Sequence, residues 1–527
     1  MLPKSLSQRF AVGLVPAAFL LILLIAPVGR LLLEGGAGAL AGMIGPLWQD
    51  DYLRWRILWT FLQAALTCGL ALVLGLPVAW VLARYEFAGR SLVLRLLMLP
   101  FVVPTLVAAL GVLALWGPRG LLSGWLGFNL QGTPWLLLYG NLFFNLCVVV
   151  RAGVDALGQV SASRVAAART LGATPWRAFW RVEWPAIAPW LASALCLVFL
   201  YCFSGFGLAL ILGGQRFATV EVEIYTLVAH ELKIAEAGAL ALCMMLLNGG
   251  IAWLYALVEK RLATPARADA IALRRPLTLR QRSAVVAALL VLLVFCAAPL
   301  LAIVLRTVLA VPAVLAVLLE EETRLALANT LRFSLSALAL ATVLGLTHAV
   351  AARHSVGLRA SAFLPFVVSP VTVAFGLLLL YPQWTASLSL LLAAYALLAY
   401  PFVAKSVGSA LDSLPAHLEQ AARSLGASSW RCFWRVTLPL VAPALRRGMA
   451  FAAATSLGEF AVTLFLSRPE WMTLTTLIYQ RLGRPGAANL DAALMLACLL
   501  MALSLTAFLL IEKTPGRSTL RKDALHA

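Results

Sequence analysis

The chain has 527 residues, of which 62% are hydrophobic and 12% charged, with a formal net charge of +19. That composition excludes an ordinary soluble domain. The excess of Lys and Arg is spread over alternate loops rather than gathered on one face, which argues against a nucleic-acid partner.

Apolar runs long enough for a bilayer, about 20 residues each, recur through the whole sequence. In chain order they fall at about 11–33, 58–83, 91–116, 134–154, 189–213 and 237–259, then 284–310, 327–352, 360–381, 386–408, 444–466 and 488–511. The expectation is an all-α integral membrane protein with twelve spans in a tandem 6+6 repeat. The first run follows Lys4 and Arg9 but is too long for a signal peptide and lacks a small-residue cleavage site, so it is read as a retained span.

Basic residues mark one set of loops: Lys4 and Arg9, Arg84 and Arg90, Arg164–Arg181, Lys260–Arg282, Arg353 and Arg359, Arg423–Arg435, and the tail Lys513–Lys522. The opposite set is acidic or mixed: Asp50, Asp51, Glu221, Glu223, Glu231 and Glu320–Glu322. Excess positive charge stays on the cytoplasmic side, so both termini are expected there, in agreement with an even number of spans. Residues 1–260 form a first half, 261–283 a polar, proline-containing cytoplasmic linker, 284–512 a second half and 513–527 a cytoplasmic tail.

The halves share a peptide. Ala167–Leu191 and Ala421–Leu445 align without gaps at an offset of 254, with 16 of 25 positions identical. At the same offset Thr219, Ile224 and Tyr225 match Thr473, Ile478 and Tyr479, and LPFVV recurs at Leu99–Val103 and Leu364–Val368. Prolines near these strings, Pro104 and Pro370, predict kinked or broken spans, tolerated where protein covers the freed backbone. Two half-repeats of equal orientation imply an axis along the membrane normal.

The repeated cytoplasmic loops, 163–190 and 417–444, carry the docking candidates. Ala168 and Ala422 lead into the turn glycines Gly172 and Gly426. A second short helix, expected over Trp176–Val182 and ending near Pro185, brings Trp176, Arg177, Phe179, Trp180 and Arg181 together; Trp430, Arg431, Phe433, Trp434 and Arg435 repeat it before Pro439. Trp and Arg dominate protein interfaces. A headgroup-level amphipathic helix is the bland alternative, but lipid does not demand two near-identical shapes.

No GxxxxGK[ST] phosphate loop is present, so any ATP is bound by another chain. The eight cysteines, with no CxxC pair, and the five histidines show no metal-ligand spacing; no cofactor or metal is expected, and no catalytic residue is assigned.

These loops resemble the EAA motif of importer-type ABC permeases: Ala-Ala, three residues, Gly, then Pro thirteen residues on. The usual leading glutamate is replaced by Ala166 and Gln420. The resemblance implies a type I ABC importer permease fold in a bacterial inner membrane, with spans 1 and 7 as leading helices. It further implies two cytoplasmic ABC ATPase copies on the loops around Gly172 and Gly426, and a periplasmic solute-binding protein on the opposite face. Two permease cores in one chain are similar to the ferric-iron and thiamine branch. The strings RVEWP (Arg181–Pro185), LILGG (Leu210–Gly214), TVEVEIY (Thr219–Tyr225), SLGEF (Ser456–Phe460) and IEKTPGR (Ile511–Arg517) look closer to its thiamine members. The chain itself would be a transport subunit, not an enzyme. A major-facilitator transporter, also six plus six, lacks support because the loop ARYEFAGRS misses that family's Gly/Asp/Arg cluster, and no intramembrane catalytic constellation favours an embedded enzyme.

Charges at membrane depth are path candidates. Glu459 falls mid-span, with Gly205 as its counterpart in the first half. Phe203, Phe206 and Phe460, with Ser204 and Ser456, are candidates for the same constriction, since aromatic faces attract organic cations. The alternatives are a carboxylate hydrogen-bonded between helices and rings that merely pack. Arg151 and Lys405, at equivalent helix ends, are explained by snorkelling.

Overall fold

A computed structural model describes residues 6–36, 49–262, 271–309, 316–353, 355–385, 387–466 and 468–512. Lys4, part of the linker and the tail 513–527 lie outside the described residues. Those residues are helical or irregular, with a single isolated bridge between Tyr85 and Arg274.

Ten helices are long and apolar enough to cross a bilayer, and a bent pair, Gly357–Val367 with Pro370–Leu380, makes an eleventh. The remaining expected span, the eleventh in chain order, is the helix Leu438–Leu457 followed by Ala461–Leu466. The adjacent Arg446 and Arg447 make it less apolar than the rest.

Several spans depart from the expected runs. The run expected over 91–116 is broken into Arg90–Leu96, Leu99–Val102 and Thr105–Trp116, and its counterpart near 360–381 is broken in the same way with a bend of 96°. Pro104 and Pro370, which lack an N–H, stand at these breaks. The run expected over 189–213 instead starts at Pro175 and ends at Phe203, before a separate helix Gly207–Leu212.

Glu221 and Glu223 were expected in an outward loop. They lie instead in a ten-residue helix, Val220–Ala229, 0% and 5% exposed. Its partner in the second half is Leu474–Gly483. Both are too short to span a bilayer, and both are held inward by the same device. Thr60 Oγ accepts from the N–H of Val220 and Thr330 Oγ from that of Leu474, each at 2.9 Å.

Among the described residues, four π-turns interrupt the helices, at Leu21–Ile25, Phe179–Glu183, Leu293–Ala297 and Phe433–Thr437. Each is followed at its second residue by a proline: Pro27, Pro185, Pro299 or Pro439. A proline ring clashes with the carbonyl four residues back, and a widened turn moves that carbonyl aside. The helix therefore runs through Pro185 rather than ending there, and the short helix expected over Trp176–Val182 is the first part of the fifth span.

The leading spans cross over. Leu20, Leu23, Leu24 and Val28 of the first span belong to a core with Phe333, Tyr395 and Tyr400 of the second half. The seventh span reciprocates. Its Leu292, Cys296 and Ile303 pack in the core of the first half, and Tyr139 donates its hydroxyl to the Val294 carbonyl. Two glycines permit the crossing. A Cβ on Gly111 would stand 2.7 Å from the Pro299 carbonyl oxygen, and one on Gly376 would stand 2.9 Å from that of Pro27. Because the blocking atoms are backbone, Gly111→Ala and Gly376→Ala should each destabilise the protein by about 1–3 kcal/mol through overpacking. Melting temperatures in detergent check this; unchanged values for both would contradict the close approach.

Candidate functional site

Each repeated loop is built from the backbone outward. The helix Ala162–Thr170 starts on Ser161, whose hydroxyl accepts from the Arg164 N–H. It ends in a Schellman turn: Gly172 N–H bonds the Arg169 carbonyl and Ala173 N–H bonds the Ala168 carbonyl. Gly172 sits at φ +86°, where a Cβ is strained. The second loop starts on Pro415, without a side-chain cap, but repeats the turn, with Gly426 at φ +82° donating to Arg423 and Ala427 donating to Ala422. Thr174 and Ser428 then cap the next turn by accepting from the N–H groups of Arg177 and Arg431.

This geometry presents an exposed apolar surface. Leu171 is 88% and Trp176 69% exposed, and Leu425 and Trp430 match them at 89% and 71%. The Trp176 and Trp180 rings meet edge to face at 5.5 Å, as do Trp430 and Trp434. Phe179 and Phe433 are half-buried beneath them, while Arg177, Arg181, Arg431, Arg435, Pro185 and Pro439 are exposed. All sixteen docking candidates therefore lie on two matching structures. Leu171 and Leu425, which the sequence reading passed over, are the most exposed apolar members; their place immediately before the turn glycine was the available signal.

Both loops are anchored by an ion pair to the C-terminal end of the second or eighth span, but from different positions. Arg84 reaches Glu183 at 2.6 Å in the first half, and Arg353 reaches Glu419 at 3.0 Å in the second. Glu183 aligns with Thr437, which itself donates to Glu419 at 3.0 Å. Burial alone would raise the Glu419 carboxyl, but the hydrogen bond and charge of Arg353, with Thr437 and Arg423, outweigh it and hold the group below the ordinary carboxylate range.

The residues expected at a constriction lie where the halves meet. The fifth span breaks at Ser204–Phe206 and the eleventh at Gly458–Phe460. The Phe206 and Phe460 rings stack across the break at 5.9 Å. Tyr225 packs on Phe206 at 5.6 Å and Tyr479 on Phe460 at 5.3 Å. All four rings come from positions paired by the offset of 254, so the ladder Tyr225–Phe206–Phe460–Tyr479 straddles the axis relating the halves. Glu459 is buried beside it, and its Oε1 accepts from the Val462 N–H at 2.9 Å, capping the helix Ala461–Leu466. Phe203 stacks instead on Phe199 at 5.5 Å, and Ser204 accepts from Asn248 at 2.8 Å, so both serve packing within the first half. Ser456 is buried one turn before Glu459. Arg151 pairs with Asp155 at 3.0 Å, and Lys405 lies over the Phe363 ring at 5.0 Å.

Residues 71–264 and 341–512 match the family model described as "Binding-protein-dependent transport system inner membrane component". The chain belongs to that family. This family member is therefore a permease component of the inner membrane, with two copies of the family domain fused in one polypeptide. It is 29% identical to the thiamine transport system permease protein ThiP of Escherichia coli K12, over 90% of this chain and 91% of the relative. It is 28% identical to ThiP of Haemophilus influenzae over 95% of both chains, and 29% identical to ThiP of Brucella abortus strain 2308 over 93% of both. A solved bacterial alginate ABC transporter chain aligns with 49% of this permease and 96% of its own length, at TM-score 0.42 and 17% identity.

Glu183→Gln removes the charge that Arg84 faces at a site where both side chains are about one-tenth exposed. The expected loss is about 1–3 kcal/mol, read as a lower melting temperature of the purified permease. Glu419→Gln, at a more exposed pair, should cost less; the reverse order would contradict this account.

Proposed function

We propose that this permease carries thiamine, or its phosphates, inward across a bacterial inner membrane, driven by two copies of a separate cytoplasmic ATPase. The observation that carries the reading is the end-to-end similarity to thiamine permeases, which spans both fused halves and the linker between them.

Residues 1–260 and 284–512 act as the two pseudo-equivalent halves, joined by the linker 261–283 and followed by the tail 513–527, with both termini cytoplasmic. The loops 163–190 and 417–444 dock one ATPase each. Their exposed leucine and tryptophans enter a groove, and the exposed arginines serve acidic groups at its rim or lipid headgroups nearby. The halves are tied to these loops because the short helix after each docking turn runs on through its π-turn into the fifth or eleventh span. Movement of a docked ATPase is thereby transmitted to the breaks at Ser204–Phe206 and Gly458–Phe460, where the ring ladder closes the path. The opposite end of the bundle, where Arg56 pairs with buried Glu223 at 3.4 Å and Arg481 pairs with Glu320, receives the solute-loaded binding protein.

The cargo is tested in proteoliposomes holding the permease, its ATPase and its binding protein. Labelled thiamine should accumulate only with ATP on the ATPase side, and ferric ion should not replace it. ATP-dependent uptake of iron without thiamine would select the ferric reading. Gly172→Glu together with Gly426→Glu should abolish coupling while membrane insertion persists, since each puts a charge into a left-handed turn at the docking surface; normal uptake would contradict the docking assignment.

Orientation is tested with impermeant thiol reagents. Cysteines replacing Arg177 and Arg431 should be protected in intact cells, and cysteines replacing Glu231 and Glu321, which are exposed at the other end, should react. Labelling of the first pair from outside would invert the topology.

A further inference from the structure

The constriction holds a carboxylate whose chemistry nothing above has used. Glu221 is 0% exposed. Its Oε2 accepts from the Ser369 hydroxyl at 2.7 Å, while its Oε1 has no hydrogen-bond partner among the described residues. None of the ion pairs among the described residues includes it. An unpaired carboxylate at that depth is costly and marks a site that a cation is meant to visit.

Its position connects it to the ring ladder. Glu221 and Tyr225 stand four residues apart on the helix Val220–Ala229, so their side chains share one face. Tyr225 touches Phe206 of its own half and Phe465 of the other. Ser369, the hydroxyl donor, caps the helix Pro370–Leu380 in the second half. The carboxylate and the rings thus sit together at the contact between halves, the contact that must open for anything to pass.

The equivalent place in the second half is chemically different. Thr475 aligns with Glu221, and its hydroxyl donates to the Glu459 carbonyl at 2.9 Å. Glu459 in turn caps its own helix through Oε1. One carboxyl oxygen is therefore left without a partner among the described residues, and it lies on one side of a ladder that is otherwise built in pairs.

We propose that Glu221 and the rings of Phe206, Tyr225, Phe460 and Tyr479 form a binding site for a flat organic monocation within the membrane. This deepens the cargo reading above and rests on it. When the halves separate, Phe206 and Phe460 part, because each belongs to a different half. A planar cation then takes one ring's place in the stack, its positive charge over an aromatic face and toward Glu221. A hard metal ion would need a set of several oxygen donors, whereas this site surrounds one carboxylate with rings. The site selects for charge and flatness together.

The test uses the reconstituted complex of permease, ATPase and binding protein, with labelled thiamine as probe. Glu221→Gln keeps an acceptor for Ser369 and the side-chain volume but removes the charge. Uptake per assembled complex should fall about tenfold while ATP hydrolysis stimulated by the loaded binding protein continues. Phe460→Leu keeps apolar volume without a ring face and should fall about fivefold, with Phe460→Tyr faster than Phe460→Leu. Uptake by Glu221→Gln within about twofold of the parent, at normal yield, overturns the site. If Glu221→Gln is lost from the membrane, the Phe460 pair decides: equal rates for Leu and Tyr overturn it, and a faster Tyr variant supports it. A parent complex that takes up no thiamine overturns the cargo reading and this site together, whereas thiamine uptake indifferent to both substitutions overturns the site alone.

Discussion

Inside a bilayer the peptide backbone has no water to bond, so every helix break needs a protein partner. Much of this architecture follows from that constraint. The breaks at Pro104, Ser204–Phe206, Ser369 and Gly458–Phe460 are gathered at the centre, where each covers another. A Cβ on Gly458 would stand 2.9 Å from Pro104, and one on Gly207 2.9 Å from the Thr105 hydroxyl. Threonines on the second and eighth spans supply acceptors for the first N–H groups of the two short inner helices. The same gathering leaves irregular backbone at the centre satisfied by its neighbours.

The duplicated halves keep their contacts while relocating the charges that make them. The docking loop is held by Glu183 in one half and Glu419 in the other, both against the arginine that ends a long helix. At the opposite end, Arg56 on the long helix pairs with Glu223 on the inner helix, whereas Arg481 on the inner helix pairs with Glu320 and Glu322 at the start of the long one. The geometry tolerates either direction because an ion pair is symmetric in its energy, not in its residue order. The constriction differs in kind: its carboxylates at 221 and 459 are not interchangeable, since one caps a helix and the other does not.

Much of the fold was legible because hydropathy and duplication are coarse, repeated signals. The apolar runs located the spans, and the prolines at 104 and 370 announced the breaks. The glycine turns at 172 and 426 were visible as punctuation shared by both copies. The short inner helices were not legible as such. Glu221 and Glu223 lie in a ten-residue segment between spans, and such a segment resembles an outward loop unless its burial is known; the matched Tyr225 and Tyr479 were the surviving hint. Pro185 reads as a helix end in the sequence because a π-turn leaves no mark in composition. The crossing of the leading spans was equally hidden, since lipid-facing and protein-facing surfaces of a membrane helix are both apolar.

That crossing bears on how the chain is made. The first span finds its core partners between Phe333 and Tyr400, roughly 300 residues later in synthesis, which at about 5–20 residues per second is on the order of tens of seconds. Until then its Leu20–Val28 face lacks those partners and has only the sixth span, through Met245, and lipid against it. The seventh span, arriving with the second half, closes the first. Each half's core is completed by a span from the other. Fusion in one polypeptide guarantees that the two late-meeting surfaces are always present in equal number and in the same patch of membrane.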